Sequence, residues 1–69
     1  MRNIISTTMN LGNLMEHLGL ESTLLDAEAM RDLLIERGFG GQTIESIDET
    51  TWWDMAGEAA RIAAKNADA

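Results

Sequence analysis

Apolar residues recur with helical periodicity in three stretches of the chain. The first stretch runs from Thr8 to Leu18, and its apolar residues follow the i, i+3, i+4, i+7 spacing of one helical face. These residues are Leu11, Leu14, Met15 and Leu18. A hydroxyl side chain at Ser6, Thr7 or Thr8 is expected to cap the start of this helix. Gly19 is expected to end it as a left-handed residue.

The second stretch begins at Ser22 or Asp26, either of which can cap a helix, and ends at Arg37. Its apolar stripe starts at Leu24 or Ala27 and continues through Met30, Leu33 and Leu34. Gly38 is suited to the left-handed position that follows a helix. Phe39 can then fold back on Leu34, which predicts a Schellman ending.

The third stretch is predicted to be a helix that starts at Asp48, a good N-cap residue. Ile47 before the cap and Trp52 after it match the positions of a hydrophobic staple. The core-facing stripe is Trp52, Met55, Ala56, Ala59, Ile62 and Ala63. Trp53 lies about 100° away around the helix, on a side that carries the small residues Gly57, Ala60 and Ala64. We therefore predict that Trp52 is buried and Trp53 exposed; the alternative is that both indoles pack in the core.

The glycine-rich link GFGGQTIESID joins the second helix to the third. In it, Ile44 and Ile47 can close a single helical turn or form a short strand, and the N-terminal RNIIS could pair with such a strand. The predicted fold is all-α, a compact bundle of three to four short helices. It forms a single domain over residues 1–69, with 1–7 and 66–69 frayed.

Size and composition limit how this chain can be stabilised. A 69-residue domain buries only about 60% of the surface of its unfolded chain, so its stability is marginal. The chain has no Cys, and its single His disfavours a metal site. Docking on another chain is the remaining way to bury more surface. No signal peptide, lipidation motif or membrane-spanning run is recognisable, so we expect a cytoplasmic protein.

Catalysis and direct nucleic-acid binding are both disfavoured by composition. The chain has no Cys or Tyr, and GFGG lacks the spacing of a phosphate-binding loop, so we expect no enzyme activity, cofactor or metal. His17 is interpreted as an exposed residue at a helix end. The net charge of −7 repels phosphates and steers the protein towards basic surfaces. The same charge is also compatible with a role in solubility alone.

Trp53 is the first candidate for partner binding, because exposed tryptophans often anchor interfaces. Carboxylates on the same helix are expected to surround it, and a row of carboxylates on the second helix is expected to add to the acidic surface. The candidate partner-binding residues are Trp53, Asp54, Glu58, Glu49, Glu28, Asp32 and Glu36.

In its layout the chain resembles the small acidic anti-CRISPR proteins of phages that act on type I systems. The resemblance rests on a Thr-rich start (STTMNLGNLMEHLG), a Leu/Met helix (DAEAMRDLLIERG) and an acidic turn into a Trp-bearing helix (SIDETTWWDMAGEA). It implies a non-catalytic inhibitor in the host bacterial cytoplasm. Such an inhibitor would occupy a surface of a Cas effector subunit or of the Cas3 nuclease, and the acidic charge of this chain would fit a basic nucleic-acid-handling surface there. No site residue is carried over, because these inhibitors are diverse and share no common catalytic residues.

Two other functions remain open from the residues alone. One is a small structural or assembly protein that forms a homodimer through the face carrying Trp53, Gly57, Ala60 and Ala64. The other is an antitoxin-like regulator that binds one specific enzyme.

Overall fold

Three α-helices and one 3₁₀ turn follow one another in the computed structural model, which describes residues 4–19 and 21–68. The helices are α1 (Leu11–Leu18), α2 (Leu24–Glu36) and α3 (Glu49–Ala67), and the 3₁₀ turn is Ile44–Ser46. The predicted all-α bundle is therefore confirmed. The Cα radius of gyration of 11.0 Å equals the value of about 11 Å expected for a compact domain of this length.

The start of α1 differs from the prediction. Asn10, and not a residue at positions 6–8, is the N-cap: its side-chain oxygen accepts a hydrogen bond from the Gly12 N–H at 2.8 Å. The backbone of Asn10 is extended, as an N-cap requires, so the helix cannot begin earlier. Gly19 ends α1 with a φ of +117°, which favours glycine. Its ψ of 173° is not the left-handed helical value that the sequence predicted.

The start of α2 also differs, and its end follows the prediction. Thr23 is the N-cap, and it forms a reciprocal capping box with Asp26 at the third helical position. Asp26 therefore lies inside the helix, and Ser22 lies before the cap. At the other end, Gly38 has a φ of +90°. The Phe39 N–H donates to the Leu34 carbonyl at 2.8 Å, which confirms the Schellman ending.

The predicted pattern of α3 is confirmed. Asp48 is the N-cap, and its carboxylate accepts a hydrogen bond from the Thr51 N–H at 3.1 Å. Trp52 is buried, with 7% of its surface exposed, whereas Trp53 is 50% exposed. Met55, Ala59 and Ala63 are also buried, whereas Ala56 and Ile62 of the predicted stripe are partly buried against the core. The helical periodicity of α3 therefore predicted correctly which of the two adjacent indoles is buried.

The N-terminal segment is fixed to the link that follows α2. The Ile5 N–H donates to the Gln42 carbonyl, and the Ile5 carbonyl accepts from the Gly41 N–H, both at 2.8 Å. The pairing considered for RNIIS is reduced to one isolated antiparallel bridge between Ile4 and Thr43. Ile5 is fully buried, a position that the helical pattern did not include in the core. Residues 1–3 lie outside the described residues.

Helix α2 is central to the packing, because it contacts both α1 and α3. The core gathers buried apolar side chains from all three helices, the N-terminal segment and the 3₁₀ turn. They are Ile5, Leu14, Ala27, Ala29, Met30, Leu33, Leu34, Ile44, Trp52, Met55, Ala59 and Ala63. Leu24 is 54% exposed, so the buried stripe of α2 starts at Ala27.

The cap of α3 gives the protein a pH-dependent contribution to stability. Hydrogen bonds from the side chain and then the backbone N–H of Thr51 hold the pKa of Asp48 below its ordinary value of 3.8. A carboxyl group with a lowered folded-state pKa stabilises the fold above its unfolded-state pKa. That contribution is lost as the pH falls through the folded-state pKa.

We expect Asp48→Asn, which retains an N-cap side chain, to flatten this dependence. The free energy of unfolding of both proteins is measured by urea denaturation, followed by far-UV circular dichroism, at pH values between about 7 and 3. The stability advantage of the parent over Asp48→Asn should shrink below about pH 4. An advantage that stays constant across this range would contradict the assignment.

Candidate binding surfaces

Three carboxylates on α2 line one cleft against α3. Glu28, Asp32 and Glu36 recur every four residues, so they lie on one side of the helix. The cleft between this row and α3 has a volume of about 250 Å³. Its other lining residues are Leu25, Ala29, Leu33, Ile62 and Asn66. We call this the acidic cleft; it combines a row of negative charge with apolar side chains.

Arg31 of α2 and its C-cap residue Arg37 leave much of this row without an ionic partner. Arg31 pairs with Asp32, with 3.3 Å between Nε and Oδ1. Arg37 pairs instead with Glu58 of α3. Glu28 and Glu36 make no ion pair within residues 4–19 and 21–68. Like charges four residues apart destabilise a helix by a few tenths of a kcal/mol, so the row slightly disfavours folding.

Glu58 was predicted as a partner-binding residue, and the structure gives its carboxylate an intramolecular role. It accepts a hydrogen bond from the Arg37 guanidinium, and both side chains are partly exposed. This ion pair ties the end of α2 to the middle of α3. A basic partner would have to compete with Arg37 for Glu58.

Trp53 lies at one end of a different and mostly apolar groove. The first part of the groove has a volume of about 370 Å³. Its lining residues are Leu18, Glu21, Ser22, Asp26, Trp53, Ala56, Gly57, Ala59 and Ala60. A second cleft shares Asp26 and Ala60 with it and extends along α3. That part is lined by Thr23, Leu25, Asp26, Ala60, Ala63, Ala64 and Ala67. We call the two parts together the Trp53 groove.

The acidic cleft and the Trp53 groove face different sides of α3. Trp53 and Ile62 are nine residues apart, which corresponds to about 180° around a helix. The two parts of the Trp53 groove share only Leu25 with the acidic cleft. Glu49 is one turn before Trp53 on the same side of α3, and Asp54 is about 100° from Trp53. The seven predicted residues therefore do not form one continuous surface.

The residues opposite α3 in the Trp53 groove were missed from the sequence. Leu18, Glu21 and Ser22 come from the end of α1 and the following turn. Periodicity within α3 predicts which of its sides is exposed. It carries no information about which loop lies beside that side.

Trp52, one residue earlier, makes an aromatic contact with a residue in the last turn of α1. Its ring lies edge-on to His17, with centroids 6.4 Å apart and planes at 71°. Such T-shaped pairs are a favoured arrangement of aromatic rings. His17 lies in the last turn of α1 and is exposed, as expected. Its contact with Trp52 was not predicted.

The described residues contain neither a candidate metal site nor a candidate membrane span. In residues 4–19 and 21–68, no group of three His, Asp or Glu side chains is arranged so that it could hold a metal ion. Over the same residues, no helix combines the length and the apolar character needed to cross a membrane.

Comparison with protein-family models, with curated proteins and with solved structures finds no match to this chain. The resemblance to anti-CRISPR proteins therefore stays a prediction.

Proposed function

We propose that the protein is a non-catalytic inhibitor that docks its acidic cleft onto a basic surface of a larger protein. The observation that carries this proposal is the row of Glu28, Asp32 and Glu36, in which two carboxylates have no ionic partner within the described part of the chain. Lysine or arginine side chains of a partner would supply the missing positive charge. The electrostatic attraction between these opposite charges is strongest where docking also excludes water.

The chemistry of the cleft defines the segment that it would bind. Leu33 and Ile62 offer apolar contact between the helices, and the carboxylates lie along the α2 side. A partner segment with basic side chains next to an apolar one would match both features. Charge complementarity of this kind raises the association rate and selects the partner. The net charge of −7 extends the attraction beyond the cleft itself.

Basic surfaces that hold nucleic acid are natural targets for such a protein. Covering them with carboxylates would exclude the phosphate backbone, whose affinity depends on the same positive charges. Together with the resemblance to type I anti-CRISPR proteins, this favours a Cas effector subunit or the Cas3 nuclease in the host bacterial cytoplasm. An antitoxin-like regulator would use the same cleft on a different enzyme.

Neutralising the row should weaken partner binding without changing the fold. The test variant is Glu28→Gln, Asp32→Asn and Glu36→Gln combined. The matched control is Glu16→Gln, Glu49→Gln and Asp68→Asn combined, which removes the same charge outside both the acidic cleft and the Trp53 groove. We expect the test variant to lose at least about tenfold in affinity, or about 1.4 kcal/mol, and the control to lose less.

The measurement is binding of the tagged protein to purified type I effector complexes and to Cas3, at low and high salt. An affinity pull-down from bacterial lysate with mass spectrometry extends the search to other enzymes. Binding through the cleft should weaken as salt rises. Salt-independent binding, or equal losses in the test and control variants, would overturn the assignment of the acidic cleft.

A further inference from the structure

We infer that the Trp53 groove binds the α3 helix of a second copy of this chain in antiparallel orientation, which makes the protein a symmetric dimer. This dimer goes beyond the proposed function and does not use the acidic row. Ile62 is about 180° from Trp53 around α3, so both acidic clefts would remain open in the dimer.

The shape of the groove fits a helix. Its α3 side carries Trp53 followed by small residues at alternating spacings of four and three. These small residues are Gly57, Ala60, Ala64 and Ala67. Residues at this spacing form one stripe along a helix, and two helices can pack along such stripes. We call this stripe of α3 the seam. Leu18 and Leu25 line the opposite side of the groove. Small side chains let a second helix approach closely, and Trp53 supplies the bulk at one end.

The charges beside this seam select the second copy and its orientation. Four charged residues lie on one flank of α3 within about 60° of one another, and in chain order they are acidic, acidic, basic, basic. They are Asp54, Glu58, Arg61 and Lys65. Arg61 and Lys65 make no ion pair in the described part of the chain.

An antiparallel copy reverses that order, so acids face bases. With a two-fold axis near Ala60, Asp54 lies opposite Lys65 of the second copy. Glu58, which pairs with Arg37 of its own chain, lies opposite Arg61 of the second copy, so Asp54 and Lys65 carry the charge pairing. A parallel copy would instead place the two charged flanks on opposite sides of the seam, where they do not meet. Only the antiparallel copy brings the acids and bases of the two flanks together, so charge complementarity selects that pairing.

The same two-fold axis also places the bulky end of each seam against the small residues of the other copy. Ala60 is midway between Trp53 and Ala67, so each Trp53 packs on the small residues Ala64 and Ala67 of the other copy. An isologous contact of this kind uses one patch twice and closes as a dimer. A standard interface covers about 800 Å² per copy, which is about a sixth of the 4619 Å² accessible surface. Half-exposed Trp53 would lie within it.

The oligomeric state of the full chain is the first test. Light scattering after size-exclusion chromatography, from about 10 µM to 1 mM, should show a mass approaching twice 7.6 kDa. Trp53→Ala should raise the dimer dissociation constant at least about tenfold, with an unchanged far-UV circular dichroism spectrum. A monomer at 1 mM would overturn the inference. So would a dimer that Trp53→Ala leaves intact, because another face would then hold it.

A charge swap tests the pairing. Asp54→Lys alone should weaken the dimer, and adding Lys65→Asp should restore it, because the double variant exchanges the two partners. Failure of the double variant to restore association would reject this register.

The absence of native cysteine permits an independent test of orientation. Ala60→Cys lies near the axis and should form a disulfide-linked dimer on oxidation. Ala67→Cys should not, because an antiparallel pair places the two residues about 20 Å apart. Efficient linkage through Ala67→Cys would indicate a parallel dimer and contradict the proposal. None of these tests involves the acidic row, so this dimer and the proposed inhibitor can fail separately.

Discussion

Replacing Trp52 with alanine is expected to lower the free energy of unfolding by about 3–5 kcal/mol. The indole is 7% exposed, packs in the core and meets His17 edge-on. Its removal leaves a cavity that the surrounding side chains fill only in part. A domain of 69 residues has a total stability of about 3–10 kcal/mol, so the variant would be close to unfolding.

Trp53→Ala is the matched control, because it removes the same side chain one residue later. Trp53 is 50% exposed, so we expect a loss of about 1 kcal/mol or less. Urea denaturation followed by far-UV circular dichroism measures both variants. The measurement is made at a low micromolar protein concentration, so that self-association does not contribute to the measured stability. A larger loss for Trp53→Ala than for Trp52→Ala would contradict the assignment of the two faces of α3.

Ile5→Ala is expected to destabilise the protein by about 2–5 kcal/mol. Ile5 is fully buried and its backbone is hydrogen-bonded to Gly41 and Gln42. The N-terminal segment therefore belongs to the core, although it lies outside every helix.

Ile4→Ala is the neighbouring control, since Ile4 is 48% exposed. Its loss should be about 0.5 kcal/mol. Thermal unfolding by differential scanning calorimetry separates the two variants. A small effect of Ile5→Ala would show that the N-terminal segment frays in solution, as the sequence predicted for residues 1–7.

Helix ends were predictable where the hydrophobic pattern and the end chemistry indicated the same position. Gly38 directly follows the apolar pattern of α2, and Asp48 lies between the staple residues Ile47 and Trp52, so both ends were found. The starts of α1 and α2 were not, because several Ser, Thr, Asn and Asp residues lie within a few positions of each start and no such hydrophobic pair distinguishes one of them. Each can cap a helix, and tertiary packing selects among them. Local propensity alone therefore does not identify Asn10 and Thr23 as the N-caps.

For the candidate site, too, local features were predictable from the sequence and long-range packing was not. That Trp53 is exposed and Trp52 buried follows from periodicity within one helix. That the α2 row and Trp53 belong to separate surfaces depends on how α2 and α3 pack, which a pattern along one helix does not encode. Ile5 was missed for a related reason. One buried residue in a non-helical segment has no period, and its burial depends on contacts with residues far along the chain.

The contact between Ile5 and Gln42 has a consequence for the order of folding. It joins segments about 37 residues apart, and closing a loop of that length costs about 3 kcal/mol of chain entropy. Burying one isoleucine gains only about 1.5–3 kcal/mol. The two backbone hydrogen bonds of Ile5 add about 0.5–1.5 kcal/mol each, so in a disordered chain the gain and the closure cost are of similar size. We therefore expect the N-terminal segment to close stably only once the helices and the turn after α2 hold the two segments near each other.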